Sequence, residues 1–450
     1  MIRSYRILFC MQRKNTMKES TIKHLVFILF VVFLIACQDE EPPDTRPIKE
    51  KLSDLSGVEV TEIDPPHGHV YAFRLDITQP LDHNNPGSPT FTQEVYLHHA
   101  DESSPMVFGP SGYGVSERSN QELAGMLKCN LITVTHRFFT DSEPSPGDWD
   151  WEFLTIEQAA ADHHHIVDLL DDIYSEVWIS SGASKSGQAV LFHKRFYPDD
   201  VEATVAYVAP IVFGTKDPRF TAHLNSLGDE ECRNKLEQYE RNMLIERDSI
   251  IPLFERWYQD NGLVLSLDVN EAYEYAVMEY HFAFWQYHRK DCSTIPGDEA
   301  TYQEMFNHFE EVMWLPYFSD YYLYYYEPYV YQALTETGYP VYITEHIDDL
   351  LLYVTDPGAE FFLVSDIDPV YDDTKIKDIN EWLQSYGDNI IYIYGEIDPW
   401  TAAMFELTGE TNAIRIIQPG ADHRVKIADL DEKDLVIETL EEWLGIDINF

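Results

Sequence analysis

The sequence predicts an α/β fold: a mainly parallel sheet covered by helices and interrupted by a long helical insertion. Three observations carry this reading. Runs of strand length, rich in aromatic and β-branched residues, recur after residue 60 and are separated by Pro, Asn and Gly clusters. From Leu154 onward, strand-like runs alternate with runs of helical period, the signature of a sheet with helices packed on it. Between residues 217 and 371 the alternation stops and only helical periods remain.

The first strands are expected in "HVYAFRLDI", "TFTQEVYLHH", "PMVFGPSG" and "NLITVTHRFF". The segment "LTIEQAAADHHHIVDLLDDIY" then takes a helical period, with Thr155 and Gln158 spaced as a capping box. A strand "EVWISS", a helix "KSGQAVLFHKRFYP" and a strand "ATVAYVAPIVF" come next. In the insertion, "CRNKLEQYERNMLIERDSIIPLFERWYQ" and "EAYEYAVMEYHFAFWQYH" read as long amphipathic helices, and "PYFSDYYLYYYEPYVYQ" is loaded with Tyr. Sheet-like order resumes with the helix "IKDINEWLQSYG", the strand "NIIYIYGEID", a helix after Pro399, the strand "AIRIIQPG" and a closing helix near "LVIETLEEWLG". The resulting division is a leader (1–36), an acidic Pro-containing tether (37–60), the first part of the α/β core (61–216), the helical cap insertion (217–371) and the second part of the core (372–450).

The leader has Lys18 and Lys23 followed by an apolar run from Leu25 to Ala36. A run of about 12 residues is short of the roughly 20 that span a bilayer, so it reads as a signal-peptide core. "LIAC" resembles the lipobox of bacterial lipoproteins, which makes Cys37 the lipidated first residue and Met17 the expected start. The following "QDEE" resembles signals that send some lipoproteins to the outer cell face. The expected location is the cell envelope, with membrane contact only through the lipid anchor. The formal net charge of −48, more negative still without the basic leader, argues against nucleic acid as a partner and favours cationic or amine-bearing ones. It is equally what a solubilised exported surface needs.

Beyond Cys10 and Cys37, three cysteines remain, enough for one disulfide in an oxidising compartment. Cys232 and Cys292 both fall in the helical insertion and are the favoured pair; Cys129, directly before a strand, reads as a buried thiol. "DHHH" at 162–165 does not read as a metal site, because consecutive helical residues point in different directions. No metal or organic cofactor is expected.

The chemistry is concentrated in "VWISSGASKSGQAVLFHKRFYP". A serine hydroxyl needs a base, a carboxylate to orient that base, and amide donors for the oxyanion. In α/β hydrolases that serine sits on a strained strand-to-helix turn crowded by its own backbone, which requires small neighbours. Gly182, Ala183, Ser184, Lys185, Ser186 and Gly187 supply them, although Ser186 stands where G-x-S-x-G has its second glycine. Ser184 follows Gly182 by two and is preferred over Ser181 and Ser186. The expected acid is Asp398, at the end of "IIYIYGEID", with Glu396 as the alternative; the expected base is His423, three residues after the strand ending at Gly420. Their order, Ser then Asp then His, is the α/β-hydrolase order. Oxyanion donors are expected from the backbone of Lys185 and from Gly112 and Tyr113 in "VFGPSGYGVS".

Read together, "ITQPLDHNNPGSPTFTQEVYLHH", "SGYGVS", "THRFFTDSEPSPGDWDWEFLTIEQAAADHHHIV", "SGASKSGQA", "AYVAPIVFGTKDPRF", "FAFWQYHRKDCSTIP", "GEIDPW" and "PGADHRVKI" resemble the secreted bacterial tripeptidyl aminopeptidase family of serine peptidases, relatives of prolyl carboxypeptidase. The resemblance runs from about Thr78 to the C-terminus. It implies an α/β-hydrolase core with a helical cap and release of short peptides, tripeptides, from substrates with a free N-terminus. By motif it puts the nucleophile on Ser184, the acid on Asp398 and the base on His423. Two departures stand out: Ser186 after the Ser-Lys pair, where the family has Gly, and bulky Arg424 beside His423. An exopeptidase also needs a carboxylate for the substrate ammonium, and Glu274 and Glu279 are candidates among many. The same three side chains would equally serve an esterase, and a non-catalytic surface-binding lipoprotein with the Tyr-rich segment as its binding face is the alternative from another class.

Overall fold

The computed structural model describes residues 44–145, 150–287 and 291–448. The chain divides into two units, Met1–Ile48 and Lys49–Phe450. In the first, residues 44–48 are described; the leader and Cys37 lie outside the described residues. The β-sheet belongs entirely to the second unit.

Nine strands form one sheet in the order β1-β2-β3-β5-β4-β6-β7-β8-β9. They are β1 (Val58–Ile63), β2 (Tyr71–Pro80), β3 (Thr90–His99), β4 (Met106–Pro110), β5 (Asn130–Val134), β6 (Trp178–Ala183), β7 (Ala203–Tyr207), β8 (Ile390–Gly395) and β9 (Ala413–Gln418). The pairings from β1 to β3 and between β3 and β5 are antiparallel; every pairing from β5 through β4 and β6 to β9 is parallel. Strand β1 begins within the residues expected in the tether and runs into the expected core. Its "VEVTEI" carries three charged or polar side chains, an edge-strand pattern that reads as linker in sequence.

Helices cover both faces of the parallel part, because alternate residues of a central strand point to opposite sides. On β7 and β8, Val205, Ile391 and Ile393 pack with α1 (Glu122–Leu127) and the C-terminal helix α11 (Lys433–Leu444). Ala206, Tyr392 and Tyr394 pack on the other side with α2 (Ile156–Leu170), α3 (Lys185–Phe196) and α10 (Thr374–Tyr386). Thr155 caps α2, its side chain accepting from Gln158 N–H at 3.2 Å. The Gln158 side chain instead accepts from His83 N–H and donates to Asp82, so the second half of the capping box is not made.

Between β7 and β8 the described chain forms α4 (Arg219–Leu224), α5 (Glu230–Ile245), α6 (Arg247–Asp260), α7 (Val269–Gln286), α8 (Tyr302–Val312) and α9 (Asp320–Gln332). These share their own core, including Leu236, Phe254, Tyr273, Phe284, Phe309 and Leu334. The run from Cys232 to Gln259 that reads as one helix is two, broken at Glu246. A disulfide joins Cys232, in the first turn of α5, to Cys292 beyond α7, with Cα atoms 5.4 Å apart. Cys129 is buried, and desolvation pushes its thiol up to about 12.

Candidate active site

Ser184 stands between β6 and α3 as the N-cap of the helix, with φ +58° and ψ −127°. A non-glycine residue at positive φ is strained and persists only where its surroundings hold it. Here the neighbours do so by close approach. A Cβ on Gly182 would overlap the Ser186 carbonyl, and one on Gly112 would overlap the Lys185 side chain. On Gly187 it would lie 2.8 Å from Ala209 Cβ and 2.9 Å from the Tyr207 carbonyl. The second small residue needed at the turn is therefore Gly187, and Ser186 is free to carry a side chain. Its Oγ accepts the Gly112 N–H at 3.1 Å, tying the turn to the loop after β4.

Asp398 follows β8 and is fully buried. One carboxylate oxygen accepts the Trp400 N–H at 3.2 Å, capping a short 3-10 turn; the other is 2.7 Å from His423 Nδ1. His423, on the loop after β9, is buried and has no hydrogen-bond partner at Nε2. The carboxylate thus holds Nδ1 as the protonated nitrogen and leaves Nε2 an acceptor. Glu396 is exposed and accepts from Gly420 N–H, away from the imidazole. The His423 backbone N–H donates to the Gln286 carbonyl at the end of α7, and Tyr287 packs edge-on against the ring at 5.6 Å. Arg424 turns outward to Asp422 and to the Tyr287 carbonyl and ring.

Ser184 and His423 line one cavity of about 1390 Å³, together with Trp400, Tyr287, Glu279 and Tyr329. That exceeds the roughly 300–1,000 Å³ of small-molecule sites and suits a peptide. Among the described residues no hydrogen bond joins the Ser184 hydroxyl to Nε2. In the absence of substrate such bonds are commonly long.

Of the expected amide donors, Lys185 N–H lies in the first turn of α3, where backbone amides have no intrahelical acceptor. The other two are engaged: Gly112 N–H by Ser186, and Tyr113 N–H by Ser111 Oγ at 2.9 Å. The Lys185 side chain is buried, donates to Gln332 Oε1 on α9 at 2.5 Å, and faces the rings of Tyr113, Phe139 and Tyr329. Burial lowers its pKa to about 7.

The histidines of "DHHH" diverge. His163 is buried among Phe108 and His193, His164 pairs with Asp200, and His165 meets the Gln79 side chain. Asp162 pairs with Arg137, also fully buried, and with His83. Among the described residues no three His, Cys, Asp or Glu cluster so as to hold a metal ion.

The strand order, the helices on both faces and the serine at the strand-to-helix turn define an α/β hydrolase. Residues 41–448 match the family model described as PS-10 peptidase S37; the chain belongs to that family and is a serine peptidase. It is 32% identical over 409 residues to the prolyl tri/tetrapeptidyl aminopeptidase of Streptomyces mobaraensis, covering 89% of this chain and 85% of that one. Among solved structures it is similar to a proline iminopeptidase from Mycobacterium smegmatis, with TM-score 0.39, 11% identity and coverage of 82% and 99%. It is also similar to a 2-hydroxy-6-oxo-6-phenylhexa-2,4-dienoate hydrolase from Rhodococcus, with TM-score 0.36, 12% identity and coverage of 86% and 100%. The family expected from the motifs is thus the family found.

Proposed function

We propose that the chain is an aminopeptidase that releases short peptides, tripeptides, from substrates with a free N-terminus, through Ser184, His423 and Asp398. The observation that carries the reading is the buried Asp398–His423 pair, 2.7 Å apart, opening its free Nε2 where the strained Ser184 lines the same cavity. Ser184 Oγ attacks the scissile carbonyl carbon while His423 Nε2 takes its proton; the imidazolium is stabilised by Asp398. The proton passes to the leaving amine, the C–N bond breaks, and water repeats the sequence on the acyl-enzyme. Lys185 N–H is one oxyanion donor. For Tyr113 N–H to serve as the other, it must exchange the Ser111 hydroxyl for the oxyanion, whereas Gly112 N–H is held back by Ser186. Losing one such donor typically costs about 3–4 kcal/mol in the barrier.

The name of the Streptomyces relative, and a cap whose helices wall the cavity, support attack near chain ends. The lipobox-like "LIAC" supports anchoring through Cys37 at the cell envelope, and a disulfide supports an oxidising compartment outside the cytosol. The test is turnover of a mixed peptide library followed by mass spectrometry of the products. Wild type should release N-terminal tripeptides, and Ser184→Ala should lower turnover by about a millionfold. Turnover by Ser184→Ala at the parental rate would overturn the reading.

A further inference from the structure

An amine-bearing substrate must find a negative charge in the cavity. Two acids are candidates from sequence, and their surroundings separate them. Glu274 is fully buried and saturated: it pairs with Arg247 at 2.5 Å and accepts the N–H groups of Leu352, Tyr353 and Val354. It does not line the cavity. Glu279, on the same helix α7, does. Its Oε1 accepts from the Tyr342 hydroxyl at 2.7 Å, and Tyr339 lines the same cavity. Burial raises the pKa values of the neighbouring Tyr317 and Tyr329, and the charge of Glu279 adds to the shift.

Among the described residues no cation pairs with Glu279. Of the cavity's cations, Lys185 donates to Gln332 and Arg424 pairs with Asp422, and among the described residues no ion pair joins Lys426 to Glu279. The tyrosines cannot balance it either, because burial keeps the phenols of Tyr339 and Tyr342 well above their usual range and therefore neutral. A carboxylate desolvated among neutral donors is costly unless a positive charge meets it. Burial accordingly pushes the Glu279 carboxyl up, a shift that a bound ammonium would reverse. The ring of tyrosines adds π faces, which also favour a cation. Exposed Glu310 at the cavity wall contributes a field of the same sign.

We propose that Glu279 is the residue that holds the free α-ammonium of the peptide while Ser184 meets the scissile carbonyl, so that their separation counts the residues released. This rests on the aminopeptidase reading. Each residue of an extended chain spans at most ~3.3–3.6 Å, so a fixed anchor selects a peptide length to within one residue.

The test compares kcat/KM for a tripeptidyl coumarin amide with a free amine and for its N-acetyl form. Wild type should prefer the free amine, and Glu279→Gln should reduce that preference about 10- to 100-fold, the range of a charge-assisted hydrogen bond. The loss should fall on the free-amine substrate alone, with the rate of fluorophosphonate labelling at Ser184 unchanged. Retained preference, or an equal loss on both substrates, would overturn the assignment. The same comparison on the wild-type chain with a desamino peptide needs no variant: equal rates with and without the amine would also overturn it. If wild type cleaved neither peptide, the aminopeptidase reading would fail by itself. Calorimetry with the free and acetylated tripeptide amides would then decide Glu279, since amine-dependent binding lost in Glu279→Gln supports it and amine-independent binding, or none, refutes it.

Discussion

Ser184 takes a positive φ because its turn is closely packed on all sides, and Gly112, Gly182 and Gly187 each stand where a methyl group would collide with a neighbour. Lys185, one residue on, has a different task for its side chain than for its amide. Its ammonium is buried under three rings and reaches Gln332 on the cap helix α9, and burial brings its pKa down to about 7 from 10.5. The folded chain therefore releases this proton near pH 7 while the unfolded chain keeps it to about 10.5. Across that window the unfolded state binds more protons, so this group makes the fold gain stability as pH rises and lose it as pH falls toward 7. Lys185→Met removes that part of the slope. Denaturant midpoints of parent and variant between about pH 7 and 10 should show the parent gaining on the variant with pH, and a constant gap would contradict this.

The residues of the turn were legible because crowding leaves a compositional mark, and Asp398 and His423 because strands end just before them. The partners of Ser186 were not, since nothing in "SKSG" announces that its hydroxyl will take the Gly112 amide. Nor could sequence separate Glu274 from Glu279. Both lie on one helix, and only the fold determines that the first meets Arg247 and three amides while the second faces tyrosines and open space.

At the scale of elements, the seat of His423 depends on α7. The last carbonyl of that helix, Gln286, receives the histidine's backbone N–H, and Tyr287 just beyond it covers the ring. The disulfide ties the segment after α7 back to the start of α5 across a separation of 60 residues. Closing a loop of that length restricts the unfolded chain, with a typical effect of about 2–4 kcal/mol. Reduction, or Cys232→Ser, should lower the thermal midpoint and reduce kcat/KM along with it, because the end of α7 then holds the imidazole less firmly. A variant that lost stability with unchanged kcat/KM at low temperature would uncouple the two. Element types followed from periodicity, whereas breaks did not: Glu246 interrupts an amphipathic run with no Gly or Pro beside it, and β1 hides in polar alternation.

For the whole molecule, one sheet carries Ser184, Asp398 and His423 on the loops after β6, β8 and β9, and the helices between β7 and β8 roof them with aromatic side chains. The helical stretch between β7 and β8 coincides with the interruption of the strand–helix alternation in sequence. The contacts across it were not legible there, because Lys185 with Gln332 and His423 with Gln286 join positions more than 130 residues apart. All of it presumes that one hydroxyl is the nucleophile. Intact-mass and peptide mapping after treatment with a fluorophosphonate tests that most directly. The account predicts a single adduct on Ser184, absent from Ser184→Ala and slowed by His423→Ala; an adduct on Ser181 or Ser186, or none on the folded wild-type chain, would contradict it.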